Sequence, residues 1–226
     1  MQKKIIILGG LGNGTVIANA VKDANLRGFT EWQFAGFLND RTEEQIEGFP
    51  VLGKLINVQT FIDSGFFFIN TIYRVDGQED RIQLFEKLKI LDESLATFVH
   101  PLAYIAPNVK IGNGSVVMPN VSISPGTSIG KCCLIMVGAT IGHNNIIEDH
   151  CHFAAQSCTS SFVQIDTGVH IGLNATVREN IIIGKHSTLG MGSVLLNNIG
   201  EEEIWAGNPA GFIRKTNSEN NQILVT

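Results

Sequence analysis

The residues of this chain best suited to chemistry are glycines near its start and histidines in its second half. Four glycines, Gly9, Gly10, Gly12 and Gly14, follow the apolar run 4–8 and precede a helix-like segment. Between a strand and a helix, glycines let backbone N–H groups approach a phosphate at the helix N-terminus. The cluster therefore predicts a nucleotide site, with a tight strand-to-helix turn as the simpler interpretation.

The residues around the glycines argue against two kinds of nucleotide site, the phosphate loop of an NTPase and a full dinucleotide-binding domain. No Lys-Ser or Lys-Thr pair follows them, so the segment is not the phosphate loop of an NTPase. Asp40, at the end of the next strand, could hold a ribose hydroxyl, but about ninety residues make only half of a dinucleotide domain. A nucleotide linked to some other group fits this region better.

His143 lies in the segment Ile-Gly-His-Asn-Asn, at a predicted corner where side chains point outward. A histidine side chain exchanges a proton near neutral pH, which suits a general base. The alternative is a surface histidine with no role in chemistry.

The pair His150 and His152 suggests a metal site, because two histidines separated by one residue can share an ion. The zinc sites of carbonic-anhydrase-like hexapeptide proteins, however, have two histidines five residues apart, and this sequence has no such pair. The sequence therefore predicts no metal. The remaining histidines, His100, His170 and His186, give no signal of their own.

The element that must position these histidines is a six-residue repeat of bulky apolar residues, with one exception. The repeat positions are Val99, Ile105, Ile111, Val117, Ile123, Ile129, Ile135, Ile141, Ile147, Phe153, Thr159, Ile165, Ile171, Val177, Ile183, Leu189 and Leu195. Such a period is typical of a parallel β-helix, in which three hexapeptides form one triangular coil. It excludes helices, because six residues do not return to one face of a 3.6-residue turn. The polar exception, Thr159, predicts a loop or distortion.

The first part of the chain has a different pattern. Strands are predicted at 4–8, 32–38 and 66–72, with a helix after the glycines and an amphipathic helix at 78–91. The predicted fold is an α/β, Rossmann-like half domain followed by a β-helix. We expect a small α/β nucleotide-binding domain at 1–97, a β-helix domain at 98–215 and a polar, frayed tail at 216–226.

Bulk composition limits the possible partners and compartment. The net charge of −5 gives no electrostatic reason to expect nucleic acid or an anionic membrane as a partner. The four cysteines show no disulfide or zinc spacing, which favours reduced thiols. The apolar run near Met1 is too short for a signal peptide or a spanning helix. We therefore expect a cytoplasmic protein.

The segment 207–210, Gly-Asn-Pro-Ala, follows the repeat and looks like the exit motif of acyl-CoA-dependent acyltransferases. The simpler interpretation is an exit turn alone. Together with segments 9–14, 37–40, 50–53 and 100–101 and the hexapeptides, it resembles the bacterial nucleotide-sugar acetyltransferases of the bacillosamine, perosamine and sialic-acid group. The resemblance implies a left-handed β-helix, a homotrimer and acetyl-CoA bound in the cleft between adjacent coils.

Carried over by position, the resemblance also implies residue roles. His143 would be the general base, with Asn144 beside it, and His152 would contact acetyl-CoA near its reactive end. The residues implied to lie along the cofactor are Leu173, Gly190 and Met191, and those implied to line the nucleotide-sugar site are Leu11, Gly12, Asn13, Asn39, Asp40 and Thr71.

Three departures from the family pattern accompany these roles. Asn144 stands where the bacillosamine enzymes have a glutamate, so the histidine keeps a hydrogen-bond partner without a charge. Met191 interrupts a second Gly–Gly pair, and Asn39-Asp40 replaces Asp-Asp at the end of the second strand.

The implied reaction is N-acetylation of an amino sugar by direct attack on the thioester, without a covalent enzyme intermediate. O-acetylation of a sugar hydroxyl, as in the sialic-acid branch, remains the first alternative. A non-catalytic trimeric scaffold is the second.

Overall fold

The computed structural model describes residues 2–41, 44–73 and 76–216. The N-terminal part is a five-stranded sheet with three α-helices: β1 (Lys3–Leu8), α1 (Asn13–Leu26), β2 (Trp32–Leu38), β3 (Gln45–Ile46), β4 (Phe49–Gly53), α2 (Val58–Asp63), β5 (Phe67–Asn70) and α3 (Gln78–Glu86). The strand order is β3-β4-β2-β1-β5, with β1 parallel to both β2 and β5. β1 ends in four apolar residues that are fully buried, as expected for a central parallel strand.

The sequence predicted some elements of this region correctly and missed others. β1 and β2 are confirmed, but the hairpin of β3 and β4 was not predicted, because each run is too short to show a period. The third strand is shorter than predicted, and α3 ends at Glu86 rather than near residue 91. The backbone of Lys89 is left-handed, with φ of 53°, which a right-handed helix cannot include.

The second part is a left-handed parallel β-helix. Its two-residue strands are β6 (Phe98–Val99), β7 (Tyr104–Ile105), β8 (Lys110–Ile111), β9 (Val116–Val117), β10 (Ser122–Ile123), β11 (Ser128–Ile129), β12 (Leu134–Ile135), β13 (Thr140–Ile141), β14 (Ile146–Ile147), β15 (His152–Phe153), β16 (Cys158–Thr159), β17 (Gln164–Ile165), β18 (His170–Ile171), β19 (Thr176–Val177), β20 (Ile182–Ile183), β21 (Thr188–Leu189) and β22 (Val194–Leu195). The chain ends in an antiparallel hairpin of β23 (Glu203–Gly207) and β24 (Ala210–Lys215).

From β6 to β22, strands stack in register with those one coil later, so each strand residue pairs with the residue eighteen positions on, as Ile123 does with Ile141. The prism has three sheets. We call the outward side of the sheet β6-β9-β12-β15-β18-β21-β23 the covered face, because the α/β part packs on it. The outward sides of β7-β10-β13-β16-β19-β22 and of β8-β11-β14-β17-β20 are the two bare faces.

The predicted inward positions form the core of the β-helix, with the exceptions at its open end. From Val117 to Leu195 each repeat position is buried, whereas Val99 is 39% exposed and Ile105 and Ile111 are half-buried. These three belong to the first coil, which no earlier coil covers. A hydrophobic position in this repeat therefore needs a neighbouring coil to become part of the core.

The distortion predicted at Thr159 is absent, and that prediction was wrong. β16 pairs in register with β13 and β19, and Thr159 is buried like its apolar neighbours. Its hydroxyl oxygen accepts a hydrogen bond of 2.9 Å from the amide of buried Asn145. A polar residue fits this core position because a second polar side chain inside the prism satisfies it.

Three further features bear on the sequence analysis. All four cysteines are free thiols. Within the described ranges, no helix has both the length and the apolar character needed to cross a membrane. Segment 207–210 forms the turn between β23 and β24, so the chain does reverse direction there. The predicted tail lies outside the described residues apart from Thr216.

Candidate active site

A cavity of about 600 Å³ lies between the glycine turn and the covered face of the β-helix. Eight residues predicted from the sequence line it: Leu11, Gly12, Asn13, Thr71, His152, Leu173, Gly190 and Met191. The lining also includes Tyr73, His170 and, from the terminal hairpin, Ile204 and Arg214. Residues far apart in the sequence thus meet in one concave site, which is the usual form of a small-molecule site.

The glycine turn presents the start of α1 to this cavity. Gly12, the residue before the helix, has φ of 82°, and no side chain caps the first N–H groups of α1. Gly9 packs so closely that a Cβ atom would lie 2.6 Å from the Thr71 hydroxyl oxygen. The free N–H groups and the positive end of the helix dipole suit an anionic group such as a phosphate.

Asn39 and Asp40 do not line the cavity, contrary to the expectation that they contact the nucleotide sugar. Asn39 is buried; its amide donates to the Gly9 carbonyl at 3.0 Å and its Oδ1 accepts from the Arg41 N–H at 2.8 Å. The Asp40 carboxylate accepts from the Leu55 N–H at 2.9 Å. Asn39 thus supports the glycine turn from behind, because both ends of its side chain are engaged by backbone.

His152 lies where the α/β part meets the coil. Its Nε2 is 3.3 Å from the amide nitrogen of Asn13, and its Nδ1 is 3.0 Å from Nδ1 of His170. The ring of Tyr73 stacks on it with centroids 4.3 Å apart. Burial lowers the pKa of His152 well below its usual value, and the nearby His170 and Arg81 lower it further, so the imidazole is neutral.

His170 and Tyr73 are the site residues that the sequence interpretation missed. The Tyr73 hydroxyl is 2.5 Å from Nδ1 of His170, and burial, with Arg81 nearby, lowers the pKa of His170 to about 4. The spacing could have found His170: it is eighteen residues after His152, and the two pair across β15 and β18. Tyr73 gives no comparable signal, because it follows β5 in an irregular segment.

His143 and Asn144 lie away from the cavity, at the corner where β13 leads to β14. Both are exposed, and His143 Nδ1 is 2.9 Å from the side-chain oxygen of Asn144. The ring of Phe162 contacts that of His143 edge-on, with centroids 5.1 Å apart. The Nδ1–H of His143 can therefore donate to Asn144, which leaves Nε2 as the proton acceptor. Within one chain, His143 and the cavity are at different corners.

The His150–His152 pair does not converge on a shared position, because the ring of His150 packs against Phe85. Three other side chains that could ligate a metal, Glu79, His186 and Glu202, lie within reach of one another beside α3. Both carboxylates are exposed, and none of the three lines the cavity.

Comparisons with known proteins give a family match for the first part of the chain and structural matches over most of it. The family model of the PglD N-terminal domain matches residues 4–72. The acetyltransferase domain of PglB from Neisseria gonorrhoeae FA1090, solved in complex with acetyl coenzyme A, is 27% identical, with a TM-score of 0.83 over 94% of this chain and 100% of that domain. Residues 4–72 thus match the PglD N-terminal domain family, and the chain as a whole is similar to an acetyltransferase domain.

Two further proteins are similar to this chain, one in structure and one in sequence. Perosamine N-acetyltransferase from Caulobacter crescentus was solved with CoA and GDP-perosamine as a variant in which one histidine is replaced by asparagine. It is 23% identical, with a TM-score of 0.81 over 94% of this chain and 97% of that one. Among curated sequences, mitochondrial gamma carbonic anhydrase 2 from Arabidopsis thaliana is 27% identical over 165 residues, which cover 61% of this chain. The match spans 54%, or about half, of that relative's length.

Proposed function

We propose that this chain is an acetyl-CoA-dependent N-acetyltransferase acting on the amino group of a nucleotide-linked sugar. The observation that carries the proposal is the single cavity that joins the glycine turn to the covered face of the β-helix. Solved relatives support it, since one was crystallised with acetyl coenzyme A and another with CoA and GDP-perosamine.

The character of the cavity walls fits two substrates of different polarity. The uncapped start of α1, at Gly12 and Asn13, is suited to the phosphates of the nucleotide sugar. Leu173 and Met191, at a coil corner, offer apolar surface for the pantetheine arm of the coenzyme. Binding both molecules in one cleft supplies much of the rate by proximity.

In the proposed reaction the sugar amine attacks the thioester carbonyl carbon. A C–N bond forms, the C–S bond breaks, the proton of the amine passes to Nε2 of His143, and the departing sulfur of CoA receives a proton in turn. Asn144 holds the imidazole by accepting from its Nδ1–H. A backbone N–H of the coil stabilises the oxyanion of the tetrahedral intermediate.

This chemistry requires His143 of one subunit to reach the cavity of another, so the proposal includes a homotrimer. The surroundings of His143 support it: Ile146, three residues further along the chain, is 51% exposed, and Phe162, whose ring contacts that of His143, is 53% exposed. Exposed apolar side chains clustered on a bare face are suited to burial against another copy.

Subunit mixing tests the shared site. His143→Ala removes the base, and Leu173→Trp fills the coenzyme side of the cavity, so each variant alone should be inactive. The random population of trimers formed by co-expression, verified by native mass spectrometry, should recover about a quarter of wild-type activity, because about a quarter of all its sites combine two intact halves. Mixed trimers without activity would contradict a site shared between subunits.

The acceptor is tested separately, with amino-sugar and hydroxy-sugar nucleotides and labelled acetyl-CoA. An N-acetyltransferase should acetylate the amino-sugar nucleotides, and an O-acetyltransferase should acetylate the hydroxy-sugar nucleotides. A scaffold without activity would not bind acetyl-CoA at millimolar concentration in calorimetry. We also propose a cytoplasmic location, which fits the four free thiols.

A further inference from the structure

Helix α1 is held to the covered face of the β-helix by polar contacts near both of its ends. At its start, the side-chain amide nitrogen of Asn13 is 3.3 Å from Nε2 of His152, in β15. In its last turn, Oδ2 of Asp23 is 3.1 Å from Nε2 of His100, the residue after β6. The proposed reaction gives neither Asp23 nor His100 a role.

The length of α1 matches the separation of these two contacts along the prism. From Asn13 to Asp23 the helix advances by ten residues, which is about 15 Å. From β6 to β15 the sheet of the covered face takes three strand-to-strand steps, through β9 and β12, which is about 14 Å. The helix therefore lies along the axis of the prism and crosses four coils.

The packing between the two ends does not by itself fix α1 along that axis. Val21 of the helix belongs to the same buried cluster as Met118 and Met136, two outward residues of the covered face. Apolar contacts have no preferred direction, and a methionine side chain adapts to the surface that lies against it. A shift of α1 along the coils is therefore opposed chiefly by the polar contacts at its ends.

The backbone determines the direction of the hydrogen bond between His100 and Asp23. The N–H of Leu102 donates to Nδ1 of His100 at 3.2 Å, and a backbone N–H can only donate, so Nδ1 holds a lone pair. The ring is then neutral, and its proton on Nε2 is donated to the Asp23 carboxylate. The imidazole is fully buried, and the N–H of His100 donates to the Val117 carbonyl at 2.9 Å. The donor is thus fixed to the coil.

Asp23 is a poor residue for its place in α1 itself. The last turn is the negative end of the helix dipole, and aspartate is a weak helix former. Arg27 donates from Nε to the same carboxylate at 2.6 Å, but both side chains are nearly half exposed, and such a pair stabilises little. The contact with buried His100 is the interaction that accounts for an aspartate at this position.

We propose that Asp23 and His100 are positioning residues for the nucleotide-sugar site, because they set where α1 lies along the prism. The proposal rests on the proposed function, in which the uncapped start of α1 at Gly12 and Asn13 binds the phosphates. A helix moves along its axis as a unit, and an N–H···O hydrogen bond tolerates only about half an ångström of change in length. Asp23, about 15 Å from the phosphate-binding N–H groups, thereby controls how well they meet the nucleotide.

Hydrogen exchange of the α1 amides tests the contact without any ligand. Asp23→Ala should speed exchange at residues 17–20 about tenfold, the effect expected when a hydrogen bond to a charged group is lost from the unit that opens. Arg27→Ala is the matched control, because it removes the exposed partner of the same carboxylate. Asp23→Asn keeps an acceptor for the Nε2–H of His100. Both should exchange at the wild-type rate at residues 17–20. Faster exchange confined to the last turn in Asp23→Ala, or equal acceleration in Arg27→Ala, would overturn the proposal.

Calorimetry measures the consequence for binding, with UDP-, dTDP- and GDP-linked amino sugars and, separately, with CoA. Asp23→Ala should bind the sugar that the wild type prefers about tenfold more weakly, whereas Arg27→Ala and Asp23→Asn should keep the wild-type affinity. The affinity for CoA should be the same in all four proteins, because Leu173 and Met191 belong to the coil and do not move with α1.

Two results would overturn the binding part: equal affinity of wild type and Asp23→Ala for the nucleotide sugar, or an equal loss of affinity for CoA, which would indicate general loosening. A wild-type protein that binds none of the three sugars would contradict the proposed function and the binding part together. The exchange measurement would still decide whether Asp23 and His100 set the position of α1.

Discussion

The covered and bare faces of the β-helix are built on the same interior and differ only in their outward residues. On the covered face, the outward residues His152, His170 and Thr188 are buried beneath the α/β part. At equivalent positions on the bare faces, Ile146 and Ile182 are exposed. The repeat thus specifies the prism, while its outward positions specify what each face binds. One face forms a cavity with the α/β part of its own chain, and the other two are exposed.

The largest expected effect is loss of the proposed base at the bare corner. His143→Ala should lower kcat at least about a hundredfold with little change in KM, within the usual range for a general base. His152→Ala, on the covered face, should instead raise the KM for acetyl-CoA more than it lowers kcat. Steady-state kinetics with both substrates varied measures the two effects.

A loss of tenfold or less in His143→Ala would remove the assignment of the base. If both variants changed kcat and KM in the same way, the bare corner and the covered face would not have separate roles in catalysis and in coenzyme binding. Asn144→Asp, which keeps an oxygen acceptor for the Nδ1–H of His143, is the conservative control and should retain most of the activity.

The next effect is the sensitivity of the covered face to acid. Burial lowers the pKa of His150 and of His170 to about 4, so the folded protein keeps both neutral. The unfolded chain binds these protons from about pH 6.5 downward. The free energy of unfolding should therefore be level above pH 6.5 and fall between pH 6.5 and 4, by on the order of 3 kcal/mol for each histidine.

Urea unfolding at a series of pH values measures this dependence. His170→Gln should make the fall in that interval smaller by on the order of 3 kcal/mol, because His150 still contributes. Thr176→His, which adds a histidine at an exposed outward position of a bare face, should leave the slope unchanged. Equal slopes in wild type and His170→Gln would show that burial on the covered face is not the cause.

The smallest effect is expected inside the prism. Thr159→Val restores the apolar repeat, and the Asn145 amide keeps its acceptors at the Gly142 and Ser160 carbonyls, so stability should change by less than about 1.5 kcal/mol. Asn145→Ala should cost about 3 kcal/mol, since it also deprives the buried Val163 N–H of its acceptor. Equal losses in the two variants would contradict this account.

The β-helix was predictable because its pattern is local and repeated. Ile141 and Ile123 face inward for the same reason, and the period alone specifies their pairing. The error at Thr159 arose because its partner, Asn145, lies fourteen residues away at a corner and outside the apolar positions. A polar residue in a repeat can be judged only together with the side chain that satisfies it.

The candidate site was predictable only in part. The glycine turn, Leu173 and Met191 line the cavity as expected, but Asn39 does not, because its place in the sequence says nothing of how deeply the turn buries it. Tyr73 reaches the site because Arg81 and Gln78 hold α3 against the coil through hydrogen bonds. Hydrogen bonds between residues so far apart in the sequence leave no local sequence pattern. The role of His143 stays a prediction.

The eighteen-residue register also restricts how the gene for such a protein can change in length. Removing or duplicating one whole coil leaves every later residue on its original face, because each stacks on its counterpart eighteen positions away. An insertion of six residues would instead turn everything after it by a third of a revolution. His170 would then leave the covered face for a bare one, although its strand would still fit the prism. We therefore expect insertions and deletions among natural homologues to come in multiples of eighteen, or as loops that bulge from a corner.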